Sequence, residues 1–581
     1  MPKKNLESCW TCRLRHKKCD ETRPTCRTCA DLGLSCYSSE TRPNWLDGGS
    51  RQQAVAQRLK AEVKTKARQR RGQKALRRIQ ANLLDASGSA ESNNGPTPPP
   101  STASPILSEQ FQPSQQYTTI AASSPIVASS TAFLAGPTLP TLSAAHEYDI
   151  GLVITYLDHV FPLLFPFYQP QILEGGRTWL LSAIAKNEGV RRSTNSLSSY
   201  ILCVVPCHSR PISQACLVLA LEGVQGQRDL TVSHLQSDLR QLNNCGVHDD
   251  LFKSTGLLNS IVHLLDIERT MAAGEEWQIH LRAALGLFEE ILQRPNRPQV
   301  SQWASVLSQL SVVSHPFGFP LWTAEQAAFR FSAENLVIDD IIASTSLDRP
   351  PMLINYYTEL LQSDTNNPSK TVLQLTRING CQNWVMSLLA EISVLNSWKK
   401  DQRRTLSPYI DMLSHRAHEI QSRLQDGLLR LDPSNEASGD ATFLDGSAPG
   451  SMPPTSVVTR LWAYAALAYL HVILSGWQPL KEEIRNAVAR GIQLLHELSS
   501  SVRHLRAQAW PYCIIGCMAL ESERPLFRDL GKRLGPLAKF GSIGVTMNIL
   551  ENIWTNSPPA DSGNWDIATC LNLLGHPVLL V

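Results

Sequence analysis

Behind the start MPKKNLES the sequence has no apolar stretch, so no secretory signal is read there. With no route to an oxidising compartment, clustered cysteines point to metal rather than to disulfides. Every common enzyme signature is missing: no G-x-S-x-G, no P-loop, no H-E-x-x-H and no dinucleotide fingerprint. The chain is therefore expected not to be an enzyme. Strand-like alternation is scarce, and no internal repeat occurs. Acidic residues are sparse at one end only. Residues 1–80 carry 20 Lys/Arg against 7 Asp/Glu, while the remaining 501 carry 34 against 44, within an overall net charge of +3. A basic head on an acidic body suggests that the head alone meets a polyanion.

What is abundant is cysteine, in one place. Of fourteen cysteines, six lie in CWTCRLRHKKCDETRPTCRTCADLGLSC, residues 9–36, separated by two, six, six, two and six residues. The stretch is a duplicated C-x2-C-x6-C unit. Each unit supplies three thiolates, whereas a tetrahedral zinc site wants about four ligands. Two separate sites would need about eight ligands. Cys9, Cys12, Cys19, Cys26, Cys29 and Cys36 supply six, so two zinc ions fit if two thiolates are shared. A segment this short buries little core, and metal binding would supply most of its folding energy, on the order of 10 kcal/mol per structural zinc. A single-zinc ribbon would leave two cysteines idle. A RING-type module would need other spacings and further ligands. His16 is the only histidine of the segment and lies in a basic run, a poor place for a ligand.

That run, Arg13, Arg15, His16, Lys17 and Lys18, falls between the second and third cysteines. A short helix there, held by metal at both ends, would present donors suited to guanine O6 and N7 in the major groove. A second basic stretch follows in residues 39–85, rich in helix formers. Lys64, Lys66, Arg68, Arg70, Arg71, Lys74, Arg77 and Arg78 suit nuclear import or phosphate contact. A dimer zipper is not supported here. Leu59 and Val63, and Ile79 and Leu83, have helical spacing, but Lys66, Arg70 and Gly72 break any heptad.

Four regions result: a head at 1–38, the basic linker 39–85, a Pro/Ser/Thr-rich linker at 86–145 read as disordered, and a body at 146–581. The body shows helical spacing throughout. In GEEWQIHLRAALGLFEEILQ, Trp277, Leu281, Leu285, Leu287, Phe288 and Leu292 form one apolar stripe. A soft insertion is expected near 432–455. The apolar run Leu461–Trp477 holds His471 and is short for a membrane span, so a buried helix is expected. His159, on the apolar face of LDHVFPLLF, reads as a core histidine. Trp179, Trp462, Trp477 and Trp510 read as core aromatics ahead of pocket linings. The eight cysteines outside the head, Cys513 and Cys517 among them, read as small buried hydrophobes.

The six cysteine spacings, the basic run and Pro24 resemble the fungal binuclear zinc cluster transcription factors. The resemblance implies that Cys9 and Cys26 bridge the two ions and that the basic helix reads a CGG-type triplet in double-stranded DNA. His16 departs from the family's usual Lys. TYLDHVFPLLFPFYQPQILEGGRTWLL, RLWAYAALAYLHVILSGWQP and LRAQAWPYCIIGCMALESE resemble the fungal-specific regulatory domain that accompanies such clusters. RPNWLDGG resembles the acriflavine-sensitivity type of regulator. The resemblance implies a nuclear regulator of RNA polymerase II transcription acting on a metabolic, secondary-metabolite or efflux gene set. It also implies transcription machinery as partner, a small-molecule effector acting on the body, and a monomer or homodimer. The expected fold is a two-zinc head of two short helix-loop units, a disordered linker and a large all-α regulatory domain.

Overall fold

The computed structural model describes residues 8–23, 25–31 and 34–37, twelve positions between 43 and 60, and most of 144–581. Segments outside the described residues include 61–143, 205–213, 246–249, 294–301, 312–321, 363–371, 432–454 and 557–564. The eight basic residues from Lys64 to Arg78 lie among them, as do the expected disordered linker 86–145 except Ala144 and Ala145 and the soft insertion near 432–455 except Thr455, three residues that begin helices. The side chains of Cys203, Cys207, Cys216 and Cys245 also lie outside the described residues.

Among the described residues every regular element is helical. Two separate hydrophobic clusters form. One gathers head cysteines with Leu34 and Leu59. The other runs through the body from Tyr156 to Leu580 as one core.

The body is organised around the helix Ala324–Ser346. Thr323 and Gln326 start it with a reciprocal cap: Gln326 N–H donates to Thr323 Oγ1 at 3.1 Å, and Thr323 N–H donates to Gln326 Oε1 at 2.9 Å. After its first turn the helix is buried almost all round, because its sequence, AAFRFSAENLVIDDIIAS, has no solvated polar face. It packs on the helices Thr178–Lys186, Leu251–Met271, Glu276–Leu292 and Asn383–Thr405. Two adjacent acids on it, Asp339 and Asp340, have partners within the core. Asp340 accepts the backbone N–H groups of Met352 at 2.9 Å and Leu353 at 2.8 Å, and the Tyr357 hydroxyl at 2.9 Å. Asp339 takes Arg269 Nη1 at 3.0 Å, and Arg269 also pairs with Asp266, which joins two core helices by charge. Burial pushes both Asp266 and Asp339 up to about 6, with Arg269 opposing.

Glu276–Leu292 buries the full stripe from Trp277 to Leu292. The helix Thr455–Ser475 has the length and apolarity to cross a membrane, yet 78% of its apolar window is buried inside the body. It packs against Glu482–Leu498, Asn383–Thr405, Ile410–Arg430 and Ala509–Cys517. Trp462 on this helix stacks on Trp510 with centroids 5.3 Å apart and planes at 13°. Trp510 Nε1 donates to Thr345 Oγ1 at 3.1 Å, which ties the stack to the central helix. Trp179, Trp462, Trp477 and Trp510 are all buried. Cys513 and Cys517 are buried with sulfurs 3.9 Å apart.

One body expectation fails. His159 is exposed rather than in the core. A π-helical turn at Tyr156–Val160 widens the helix by one residue. It turns Tyr156, Val160 and Phe161 inward and leaves Asp158 and His159 outside.

Candidate metal centre and nucleic-acid interface

Among its described residues the head contains two helices, α1 at Trp10–Leu14 and α2 at Arg27–Ala30. Each is capped by the first cysteine of its unit. Cys9 Sγ accepts the Cys12 N–H at 3.3 Å, and Cys26 Sγ accepts the Cys29 N–H at 3.4 Å. The third cysteine of each unit returns to the first: Cys19 Sγ accepts the Cys9 N–H and Cys36 Sγ the Cys26 N–H, both at 3.5 Å. Each helix also reaches across. Thr11 Oγ1 donates to the Ser35 carbonyl at 2.8 Å, and Thr28 Oγ1 donates to the Lys18 carbonyl at 3.2 Å. A sequence offset of 17 thus reproduces the same bonds in both halves, the mark of an internal two-fold.

The sulfurs converge into two groups. Cys9, Cys12, Cys19 and Cys26 form one, and Cys9, Cys26, Cys29 and Cys36 the other, with all ligand atoms of each within 4.8 Å. Cys9 and Cys26 belong to both. Zinc–thiolate bonds of about 2.3 Å in a tetrahedron place sulfurs about 3.8 Å apart. The separations are 3.7 Å for Cys9–Cys26, Cys12–Cys26 and Cys9–Cys29. The cysteines therefore fit zinc. Burial pushes the thiols of Cys9, Cys12 and Cys29 up, so thiolates crowded this closely need a cation among them.

Asp20 completes the frame and was not singled out by spacing. Its carboxylate accepts the Arg27 N–H at 3.0 Å, the Thr28 N–H at 3.3 Å and the Thr22 hydroxyl at 2.7 Å. The Thr22 hydroxyl, helped by those backbone N–H groups, holds its carboxyl down at about 2. In the other half the Tyr37 carbonyl accepts the Trp10 N–H at 2.8 Å instead. A D-x-T sequence shortly before a helix was the only local signal.

The basic run departs from the expected shape. It does not form a helix reaching from Cys12 to Cys19. The helix stops at Leu14, Arg15 caps it, and His16 turns left-handed at φ 52°. Lys17 N–H then donates to the Cys12 carbonyl at 3.0 Å and His16 N–H to the Arg13 carbonyl at 3.2 Å. These two bonds make a Schellman end, which usually places Gly where His16 stands. The second unit has Gly33 at that position of the sequence. Arg13, His16, Lys17 and Lys18 are exposed and Arg15 is half-buried. The Arg13 guanidinium lies 5.1 Å from the buried Trp10 ring.

The second half differs at one position. Leu34, the counterpart of Lys17, is buried beside Leu59, with Val55 packed against them. Leu59 comes from the basic linker, whose described residues between 51 and 60 are helical where they are assigned. Its partner is the cysteine cluster rather than another helix of its own kind. A lone leucine at helical spacing among lysines was visible in sequence, but its target was not.

A six-thiol metal head with one basic, uncovered face, followed by an all-helical body, is the architecture of a zinc-cluster DNA-binding regulator. Residues 7–45 match the fungal Zn(2)-Cys(6) binuclear cluster domain, and residues 152–581 match the fungal specific transcription factor domain. The chain belongs to the fungal zinc cluster transcription factors, and it is a DNA-binding regulator of transcription rather than an enzyme. It is 34% identical to transcription factor dibT of Pestalotiopsis microspora, over 100% of this chain and 99% of that protein. It is 27% identical to the pestheic acid cluster transcriptional regulator 3 of Pestalotiopsis fici, over 100% and 99%. It is 28% identical to the trichothecene biosynthesis transcription regulator TRI10 of Trichoderma arundinaceum, over 70% of this chain and 89% of that protein. No solved structure matches the chain.

Proposed function

We propose that Cys9, Cys12, Cys19, Cys26, Cys29 and Cys36 hold two zinc ions, with Cys9 and Cys26 bridging, and that this head reads CGG-type triplets for a secondary-metabolite gene set. The sharing of Cys9 and Cys26 by both sulfur groups carries the reading. Zinc supplies the charge that keeps the buried sulfurs ionised and the crosslink that holds the two units together. The protein's part is orientation. N–H groups of Cys9, Cys12, Cys26 and Cys29 stabilise the thiolates, and the Schellman end at His16 fixes where the basic run leaves α1. Arg13, Arg15 and His16 face base edges in this reading, and Lys17 and Lys18 face phosphate. The gene set is inferred from relatives whose names place them in pestheic acid and trichothecene biosynthesis.

The head at 1–38 acts with the linker segment that covers it. Lys64, Lys66, Arg68, Arg70, Arg71, Lys74, Arg77 and Arg78 serve nuclear import or phosphate contact, 86–145 gives reach, and 146–581 recruits the RNA polymerase II machinery and responds to a small molecule. Binding as a monomer, or as a homodimer joined through the body, both suit the absence of a zipper pattern. The test is fluorescence anisotropy of the full chain on a CGG duplex and a scrambled one, at 50 and 200 mM salt, with and without a zinc chelator. Specific binding should disappear with the chelator and fall on the order of a hundredfold across that salt range. Equal affinity for both duplexes, or binding indifferent to chelator, would remove the reading.

A further inference from the structure

A cavity of about 770 Å³ opens where Thr178–Lys186 meets the first turns of Leu251–Met271 and Ala324–Ser346. A close-packed interior leaves few voids larger than a water molecule, and small-molecule sites occupy roughly 300–1,000 Å³. Trp179, Leu257 and Ala328, all buried, make its floor apolar. Two buried polar side chains interrupt that floor, Thr255, whose hydroxyl donates to the Leu251 carbonyl at 2.9 Å, and Asn259. Asn259 is 4% exposed, and its Oδ1 accepts the Ser332 hydroxyl at 3.2 Å. Its Nδ2 donates to no group among the described residues. Asn259 lines the cavity, so its N–H groups are open to an acceptor bound there.

The mouth is charged but largely neutralised. Lys186 pairs with Glu325 at 2.8 Å and Lys253 with Asp250 at 3.2 Å. Asp238 is the remaining charge on the lining, and partial burial pushes its carboxyl up. An anion would meet this carboxylate and find both lysines engaged. A neutral molecule would meet the apolar floor, the Asn259 amide and the Ser182 hydroxyl.

We propose that this cavity is the effector site of the regulator, and that it takes an uncharged, largely apolar small molecule whose hydrogen-bond acceptor reaches Asn259 Nδ2. The proposal rests on the regulatory reading of the body given above and adds the place and the chemistry. Occupation would brace Thr178–Lys186 against the central helix Ala324–Ser346, the element on which the core is organised.

Prodan, an uncharged naphthyl ketone, is a suitable probe. The full chain should bind it saturably, with blue-shifted emission and a raised melting temperature. Ala183 lines the wall and is half-buried, so Ala183→Phe narrows the cavity without touching Asn259. It should weaken prodan at least tenfold. Asn259→Asp keeps the acceptor for Ser332 but removes the N–H donors, and should weaken prodan about tenfold. Helical circular dichroism establishes that each variant is folded. If one is not, the other carries the comparison, and the unmodified chain still has to show one saturable site. Absent saturable binding, or folded variants that bind prodan as tightly as the unmodified chain, would overturn the proposal. DNA binding by the unmodified chain is measured in the same preparation. A chain that binds prodan but not the CGG duplex keeps the cavity and loses the DNA reading, and the converse result separates them the other way.

Discussion

Lys17 and Leu34 make the same hydrogen bond in the two halves of the head, to the Cys12 carbonyl at 3.0 Å and the Cys29 carbonyl at 2.9 Å, yet one is exposed and the other buried. The duplicated backbone gives each half the same frame. The side chains divide the work: one half faces outward with cations, and the other receives Leu59 and Val55. In the first half Arg13, His16, Lys17 and Lys18 are exposed close together, which suits contact with a polyanion.

Metal content follows from the shared sulfurs. Native mass spectrometry of the head should find about two zinc ions per chain. Cys26→Ser should disturb both ions, because Cys26 lies in both groups, whereas Cys19→Ser should leave one bound tightly. A single zinc in the unmodified head, or equal losses from the two variants, would contradict the bridged arrangement.

Base and phosphate roles separate by substitution. Arg15→Ala should cost about 1–3 kcal/mol on the preferred duplex and blur its sequence preference. Lys18→Ala should weaken every duplex alike and lower the salt slope by about one unit. His16→Lys brings a longer cationic side chain, as the family usually has there, so it should retain the triplet preference and tighten binding, most at low salt. Anisotropy on matched and scrambled duplexes at two salt concentrations compares the three. A sequence preference altered by Lys18→Ala and not by Arg15→Ala would reverse the roles.

Leu59 should matter to the zinc head although it lies well past the last head cysteine. Leu59→Asp places a carboxylate against Leu34 and should destabilise the head by about 2 kcal/mol or more. The readout is faster zinc loss to a chromogenic chelator. Lys60→Asp, next door and exposed, should leave that rate nearly unchanged. Similar rates for Leu59→Asp and the unmodified head would show that this packing is dispensable.

Asp20 should act as a fixed anion. Its carboxyl is held at about 2, below the ordinary 3.8, so its contribution to the head is present above about pH 4 and is lost as pH falls toward 2. Asp20→Ala should therefore speed zinc loss by the same factor at pH 6 and at pH 8. A factor that changes across that interval would point to another titrating group.

The body should fold without the head. Circular dichroism of residues 146–581 should show a helical protein with a cooperative melt, because the body's core is made from residues 152–581 alone. Trp510→Ala in that fragment should cost about 3–5 kcal/mol, since it removes the Trp462 stack and the bond to Thr345 together. A fragment that stays unfolded would refute the division into head and body.

Sequence by itself determined which cysteines gather and the class of the body. Cysteine spacing is a local quantity, and a two-residue gap places two sulfurs on one helical turn whatever lies beyond it. Apolar spacing did the same for Trp277 to Leu292. Tertiary structure alone decided the rest. His16 takes a left-handed backbone because two carbonyls of α1 need donors, a demand that spacing does not express. Asp20 finds its partners seven and eight residues away across a turn. Leu59 finds the cluster instead of another helix, and a π-turn sends His159 outward. Asp20, Leu59 and His159 depend on a partner farther along the chain or on a register shift of one residue, and neither leaves a periodic trace in the sequence.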